Sequence, residues 1–272
     1  RYSGAQVYNS LPDNDLYWKA KAGQFEKNKE NDVQPEELFD MALKLLPSSQ
    51  SRILEIGCGS GRAMQKLLER GHGNILGVDL SEEALAMAKE KGIPSDKLAK
   101  MNIKHDEIIG QFQLILIMDL LLYFTPEEQE ITMRKIYSAL NEGGTLVLRW
   151  AVGKDEVVNK NDRWVFLASK EFLLEFMHKN GFDVTYIQSK VEPIYGGNAE
   201  CDYWYVVAKK QYSAFNESDR LSGQDKTNKD VGVSINDKLL GIIVSGGLLA
   251  AAILDYFFKV AGKYFVRPKN VG

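Results

Sequence analysis

The chain has 272 residues, 44% hydrophobic and 26% charged, which is enough apolar material for a sizeable core and excludes a wholly disordered protein. Its net charge of −3 leaves no basic footprint, so nucleic acid is not an expected partner. The two cysteines, Cys58 and Cys201, offer neither a metal-ligand spacing nor a disulfide framework, so no metal is expected and a reducing compartment fits.

Residues 1–34 are polar and aromatic, and Asp15 to Ala22 predict a short helix carrying Tyr17 and Trp18. Those two rings either cover a ligand or anchor the arm to the core. Pro35 to Leu46 read as an amphipathic helix with proline in its first turn and Pro47 as its stop. Ile53 to Ile56 is an apolar run interrupted by one acid, Glu55. It breaks into Gly57, Gly59 and Gly61, with Cys58 and Ser60 between them, and a helical pattern follows from Arg62 to Glu69. This is a strand turning sharply into a helix, with glycines where a ligand must approach the main chain. Arg62 occupies the place of the third glycine of a dinucleotide fingerprint, and no phosphate loop of the G-x-x-x-x-G-K-[ST] type occurs. The next strand, Asn74 to Asp79, ends in an acid 22 positions after Gly57, a spacing suited to gripping a ribose diol. Leu80 follows it, and Ser81 caps another helix.

Leu98 to Ile103 is a candidate third strand. Leu114 to Met118 is a continuous apolar run, as expected of a central parallel strand, and it ends in Asp119. Thr125-Pro126-Glu127-Glu128 is a capping box that starts a helix to about Leu140. A turn at Asn141 to Gly144 leads into a strand from Thr145 to Trp150. Residues 151–168, with Trp164 and Phe166, suit a substrate lid. Ser169 to Asn180 form a helix, and Phe182 to Ser189 and Tyr203 to Ala208 read as an antiparallel hairpin.

The pattern Glu55-x-Gly57-x-Gly59-x-Gly61 resembles motif I of the class I S-adenosylmethionine-dependent methyltransferases, and the helix, GG turn and strand at 126–150 resemble the same family. The resemblance covers roughly residues 15–209 and is nearest in class to the small-molecule and quinone methyltransferases. It implies an α/β, Rossmann-like, doubly wound sheet of seven strands, mostly parallel, closed by the C-terminal antiparallel hairpin. It implies S-adenosyl-L-methionine as cofactor, cradled by Glu55, Gly57, Cys58, Gly59 and Gly61. Asp79 falls at the ribose and Asn102 at the adenine amine, with Asp106 as the alternative to Asn102, and Leu80 and Ile103 are further cofactor-binding candidates. Tyr17 and Trp18 would cover the cofactor, and Asp119 would lie beside it.

A methyl displacement needs an in-line acceptor and exclusion of water more than a fixed triad. Asp119 and Tyr123 are the catalytic candidates at the ends of the central strands, and Arg149 and Trp150 are to be inspected beside them. His105, after the third strand, is the one histidine considered as a general base; His72 and His178 read as surface. An Asn-Pro-Pro-Tyr signature is absent after strand 4, which with the acidic charge favours a small-molecule or lipid-linked O, N or C acceptor. A nicotinamide-dependent oxidoreductase and a non-catalytic cofactor-sensing or membrane scaffold protein are the competing readings.

The sequence divides into a cofactor-binding domain at 1–210, a polar linker at 211–236 and a hydrophobic segment with a basic tail at 237–272. Leu239 to Leu254 is sixteen residues without a charge, and 239–258 predicts a membrane helix with aromatic residues near its end. Small residues four apart also permit pairing into a homodimer. The alternative is a helix buried against the catalytic domain. A cytosolic domain at the cytoplasmic face of a membrane is expected, although the basic tail pulls to the same side and a single span does not satisfy both.

Overall fold

The structure, a computed structural model, describes residues 8, 11–28, 35–159, 163–194 and 199–211. The predicted linker beyond Gln211 and the hydrophobic segment 239–258 lie outside the described residues. Among the described residues no helix is long and apolar enough to cross a membrane.

Nine strands and six helices account for the described regular structure, with two short 3-10 turns at Ser95–Lys97 and Leu121–Tyr123. The strands are β1 (Ile53–Ile56), β2 (Ile75–Asp79), β3 (Leu98–Lys100), β4 (Phe112–Met118), β5 (Leu140–Ala151), β6 (Glu156–Asn159), β7 (Trp164–Leu167), β8 (Phe182–Ile194) and β9 (Ala199–Lys210). The helices are α1 (Asn14–Asn28), α2 (Glu36–Leu43), α3 (Arg62–Glu69), α4 (Glu82–Glu90), α5 (Pro126–Ala139) and α6 (Lys170–Lys179). Seven strands form one sheet in the order β3-β2-β1-β4-β5-β9-β8. The first five run parallel, and β9 pairs antiparallel with both β5 and β8. This is the expected doubly wound α/β sheet with its C-terminal hairpin.

Local chemistry explains most of these elements. All four residues of β1 are buried, and so are Leu114 to Ile117 of β4, because helices cover both faces of a parallel sheet. Ser81 caps α4 by accepting the Ala84 N–H, and Thr125 and Glu128 complete a reciprocal capping box on α5.

Several elements differ from the sequence reading. Helix α2 stops at Leu43, three residues short of Leu46, and β5 begins at Leu140, so that residues 141–144, expected as a turn, extend the strand. Helix α1 runs for 15 residues to Asn28, well past Ala22. Tertiary contacts hold it: Asn14 Nδ2 donates to the carbonyls of Tyr123 (2.8 Å) and Trp164 (3.1 Å), and Asn14 Oδ1 accepts the Trp164 N–H. Strand β3 stops at Lys100, three residues early. The β8–β9 hairpin is longer than its apolar pattern, because its outer ends are held by ladder pairing rather than by burial of alternate residues. Residues 156–167 form a two-stranded hairpin, β6–β7, in which Trp164 and Phe166 are buried. Trp150 lies fully buried among Phe166, Phe172 and Phe176 and donates its Nε1 to the Phe166 carbonyl at 2.8 Å. It belongs to the core.

Candidate functional site

Strand order reverses direction between β1 and β4, and in open α/β sheets ligands bind beyond the carboxyl ends of the strands at such a point. A cleft enclosing about 1100 Å³, mouth included, opens there. Its floor is the turn between β1 and α3. Gly57, Gly59 and Gly61 have φ of 75°, 55° and 73°, a left-handed run that side chains resist. The Gly57 and Cys58 N–H groups donate to the Val78 carbonyl at 2.8 and 3.0 Å, which ties the turn to β2. A Cβ on Gly57 would meet Leu120 at 3.2 Å, so the turn and the segment after β4 approach closely.

Asp79, at the end of β2, accepts the Gly59 N–H on Oδ2 and the Ser81 N–H on Oδ1, both at 2.8 Å. Burial pushes its pKa up, against the pull of those N–H groups. The same carboxylate therefore shapes the glycine turn and faces the cleft. Glu55 is buried in β1, and its pKa is pushed up to about 8 by burial, with Arg62 opposing. Its Oε2 is buried with no hydrogen-bond partner among the described residues, and so is Trp18 Nε1. Both residues line the cleft. The Cys58 thiol is pushed up by burial, so it is no nucleophile at neutral pH; the turn uses its main chain.

On the other side of the switch point Asp119 follows β4 in the left-handed region, with φ 57°. Arg149 on β5 grips it through Nε and Nη2, and Arg149 Nη1 donates to Glu192 on β8 at 2.7 Å. Burial alone would lower the Arg149 pKa; the charge and hydrogen bonds of Asp119, with Glu192, raise it. Tyr123 sits beside this pair, buried, with its ring edge-on to Trp18 at 4.8 Å. Burial, and then the Asp119 charge, push its phenol up, so it keeps its proton.

The cleft gathers most of the residues predicted from sequence. Trp18, Glu55, Gly57, Cys58, Gly59, Asp79, Leu80, Asn102, Ile103, Asp119 and Tyr123 all line it. Arg149 lines it too. Three predicted residues are placed elsewhere. Gly61 caps α3 behind the turn and does not line the cleft. Tyr17 turns to Arg163, whose Nη1 donates to its hydroxyl at 2.8 Å and whose guanidinium lies over its ring. On a helix, neighbours in sequence cannot share one face, and Trp18 takes the inward position. His105 is exposed and outside the cleft. Because β3 ends at Lys100, residues 102–106 form a turn in which the His105 and Asp106 N–H groups donate to the Asn102 carbonyl, and His105 is carried to solvent. Asn102 itself donates Nδ2 to Asp15 Oδ2 at 2.9 Å, so it is engaged with α1.

The sequence reading missed Asp15, Phe25, Glu26 and Arg62, which also line the cleft. A signal was present. Asp15, Trp18, Ala22, Phe25 and Glu26 recur at steps of three and four, the inward stripe of a helix twice as long as the one predicted.

Comparison with known proteins agrees with this architecture. Residues 53–144 match the methyltransferase-domain family. The chain is 29% identical to the carboxy-S-adenosyl-L-methionine synthase of Shewanella sp., over 54% of this chain and 60% of that protein. It is 27% identical to the tRNA U34 carboxymethyltransferase of Actinobacillus succinogenes, over 51% and 47%. It thus spans less than two thirds of the length of these curated relatives. In fold it is similar to an S-adenosylmethionine-dependent methyltransferase of Methanosarcina mazei (TM-score 0.55, 16% identity, 66% of this chain and 99% of that one). It is also similar to the magnesium protoporphyrin IX methyltransferase of Synechocystis with bound S-adenosylhomocysteine (TM-score 0.55, 12% identity, 73% and 98%). In its sheet order, its glycine cradle and the matched segment 53–144, the chain is similar to the class I S-adenosylmethionine-dependent methyltransferases.

Proposed function

We propose that this protein uses S-adenosyl-L-methionine to methylate an oxygen, nitrogen or carbon atom of a small-molecule or lipid-linked acceptor. The observation that carries the cofactor reading is the cradle itself. Three left-handed glycines, an acid at the end of β2, and two orphaned buried polar atoms, Glu55 Oε2 and Trp18 Nε1, meet in one cleft. An amino-acid tail and a nucleoside together present the donors and acceptors such a wall lacks.

The bound cofactor supplies an electrophilic methyl group on a sulfonium sulfur. Gly57, Cys58 and Gly59 let a ligand reach the main chain. Asp79 keeps unused lone pairs for a diol, since a carboxylate accepts at about four positions. Asn102 and Ile103 border the base. Trp18 and Phe25 close the cleft from α1 and keep water out. Asp119 and Tyr123 face the acceptor: Tyr123 as a hydroxyl donor, and Asp119 as a fixed acceptor held by Arg149.

A small or lipid-linked acceptor is supported by the acidic net charge and by the acids that line the cleft. We place the domain at the cytoplasmic face of a membrane, with 239–258 as attachment or as a dimer contact. The hydrophobic composition of that segment supports this reading. The test is mass spectrometry of membrane and metabolite extracts incubated with the protein and isotopically labelled S-adenosylmethionine. A labelled lipid or metabolite is expected; label confined to RNA or protein would refute the acceptor class.

A further inference from the structure

Glu26 lies near the end of α1, yet its carboxylate is seated in the glycine cradle and the residue is only 9% exposed. Its Oε2 accepts from the Ser60 hydroxyl at 2.7 Å and from the Ser60 N–H at 3.3 Å, and Arg62 Nε stands 3.6 Å away. Its Oε1 lies 2.7 Å from the point where a Cβ on Gly59 would stand. Lys91 Nζ donates to the same Ser60 hydroxyl at 3.1 Å. A main-chain N–H, a hydroxyl and a guanidinium thus converge on one carboxylate at the start of α3, and Glu26, Gly59 and Arg62 all line the cleft.

The donor set is that of a carboxylate site, and a side chain of the protein takes it. S-adenosylmethionine carries a single anionic group, the carboxylate of its amino-acid tail. Two carboxylates cannot share one serine and one arginine beside Glu55 and Asp79 without strong repulsion. Glu26 already raises the pKa of both those acids. We propose that Glu26 is an internal competitor for the tail carboxylate of the cofactor, so that binding the tail requires Glu26 to leave Ser60 and Arg62. This rests on the S-adenosylmethionine reading of the same cleft. Trp18 and Phe25 share the inward stripe of α1 with Glu26, so the release of Glu26 loosens the face that closes the cleft.

Two probes separate the tail from the nucleoside. S-adenosylhomocysteine carries the carboxylate, and methylthioadenosine is the corresponding thioether without the amino-acid tail. Calorimetry on the full chain should show E26Q binding S-adenosylhomocysteine more tightly than the parent. A competitor that holds the cradle nine-tenths of the time gives about a tenfold gain when removed. Methylthioadenosine affinity should not change. Weaker binding of S-adenosylhomocysteine by E26Q would make Glu26 a ligand rather than a competitor and would overturn the proposal. So would an equal change for both probes, or none. If the parent chain binds neither probe, the cofactor reading itself fails. Hydrogen exchange on the unaltered chain supplies a readout that does not depend on the variant folding. Residues 22–28 should exchange faster with saturating S-adenosylhomocysteine than with methylthioadenosine; equal or slower exchange overturns the proposal.

Discussion

Arg149 and Asp119 bind each other across the carboxyl ends of two neighbouring strands. Arg149 Nε donates to Asp119 Oδ1 at 3.0 Å, and the Asp119 N–H returns a bond to the Arg149 carbonyl at 3.1 Å. The side-chain grip and the backbone bond together hold a non-glycine residue at φ 57°, a conformation that costs on the order of 1–2 kcal/mol and persists because its surroundings enforce it. Glu192 and the face of the Tyr203 ring complete the enclosure of the guanidinium.

Removing the cation should therefore be severe. R149M takes the guanidinium away from two largely buried carboxylates, Asp119 and Glu192, and is expected to cost about 3–5 kcal/mol of stability. Urea denaturation of parent and variant measures this. A cost below about 1 kcal/mol, the range of an exposed pair, would mean that the network is solvated.

Glu55 gives a pH dependence with a definite sign. Its folded pKa of about 8 stands above the ordinary 4.5, so the folded chain keeps a proton that the unfolded chain loses. Its contribution to stability is fully present below pH 4.5 and is lost as pH rises to about 8. E55Q should flatten this slope in melts taken across that window. The cationic cofactor favours ionised Glu55, so its binding at pH 7 should release a proton. Calorimetry in two buffers of different ionisation heat reads that release, and identical heats would remove Glu55 from the cofactor site.

Asp79 is asked to do two things, and D79A tests both. The Gly59 and Ser81 N–H groups lose their acceptor, and the cleft loses a carboxylate. Affinity for S-adenosylhomocysteine should fall by about 1–3 kcal/mol. Unchanged affinity would show that the carboxylate only shapes the turn and that the turn holds without it.

G59A probes the cradle from the backbone side. The new methyl group would be forced into left-handed φ and to within 2.7 Å of Glu26 Oε1. A destabilisation of at least about 1–2 kcal/mol is expected, read as a lower melting temperature. A variant with parental stability would mean that the turn can relax to another conformation.

The turn from β1 into α3, the Ser81 cap, the Thr125–Glu128 capping box and the buried run of β4 were all legible in the amino-acid sequence. Each is a local pattern, in which a few consecutive residues carry both the periodicity and the hydrogen-bond chemistry that define the element. The positions of Glu55, the glycines and Asp79 followed, because strand ends in a parallel sheet lead to one edge. What only the tertiary structure decided is which distant charges meet there. Glu26 reaches Ser60 across 34 positions, and Arg149 reaches Glu192 across 43. Tyr17 and Trp18 are adjacent in sequence, yet one turns to Arg163 and the other to the cleft, because a helix separates neighbours by about 100°. His105 left the site because β3 ended early and the following turn closed on Asn102. Local sequence thus sets elements and caps, whereas the partner of a buried charge is chosen by packing, since a buried ion is tolerated only where the fold brings its counter-ion.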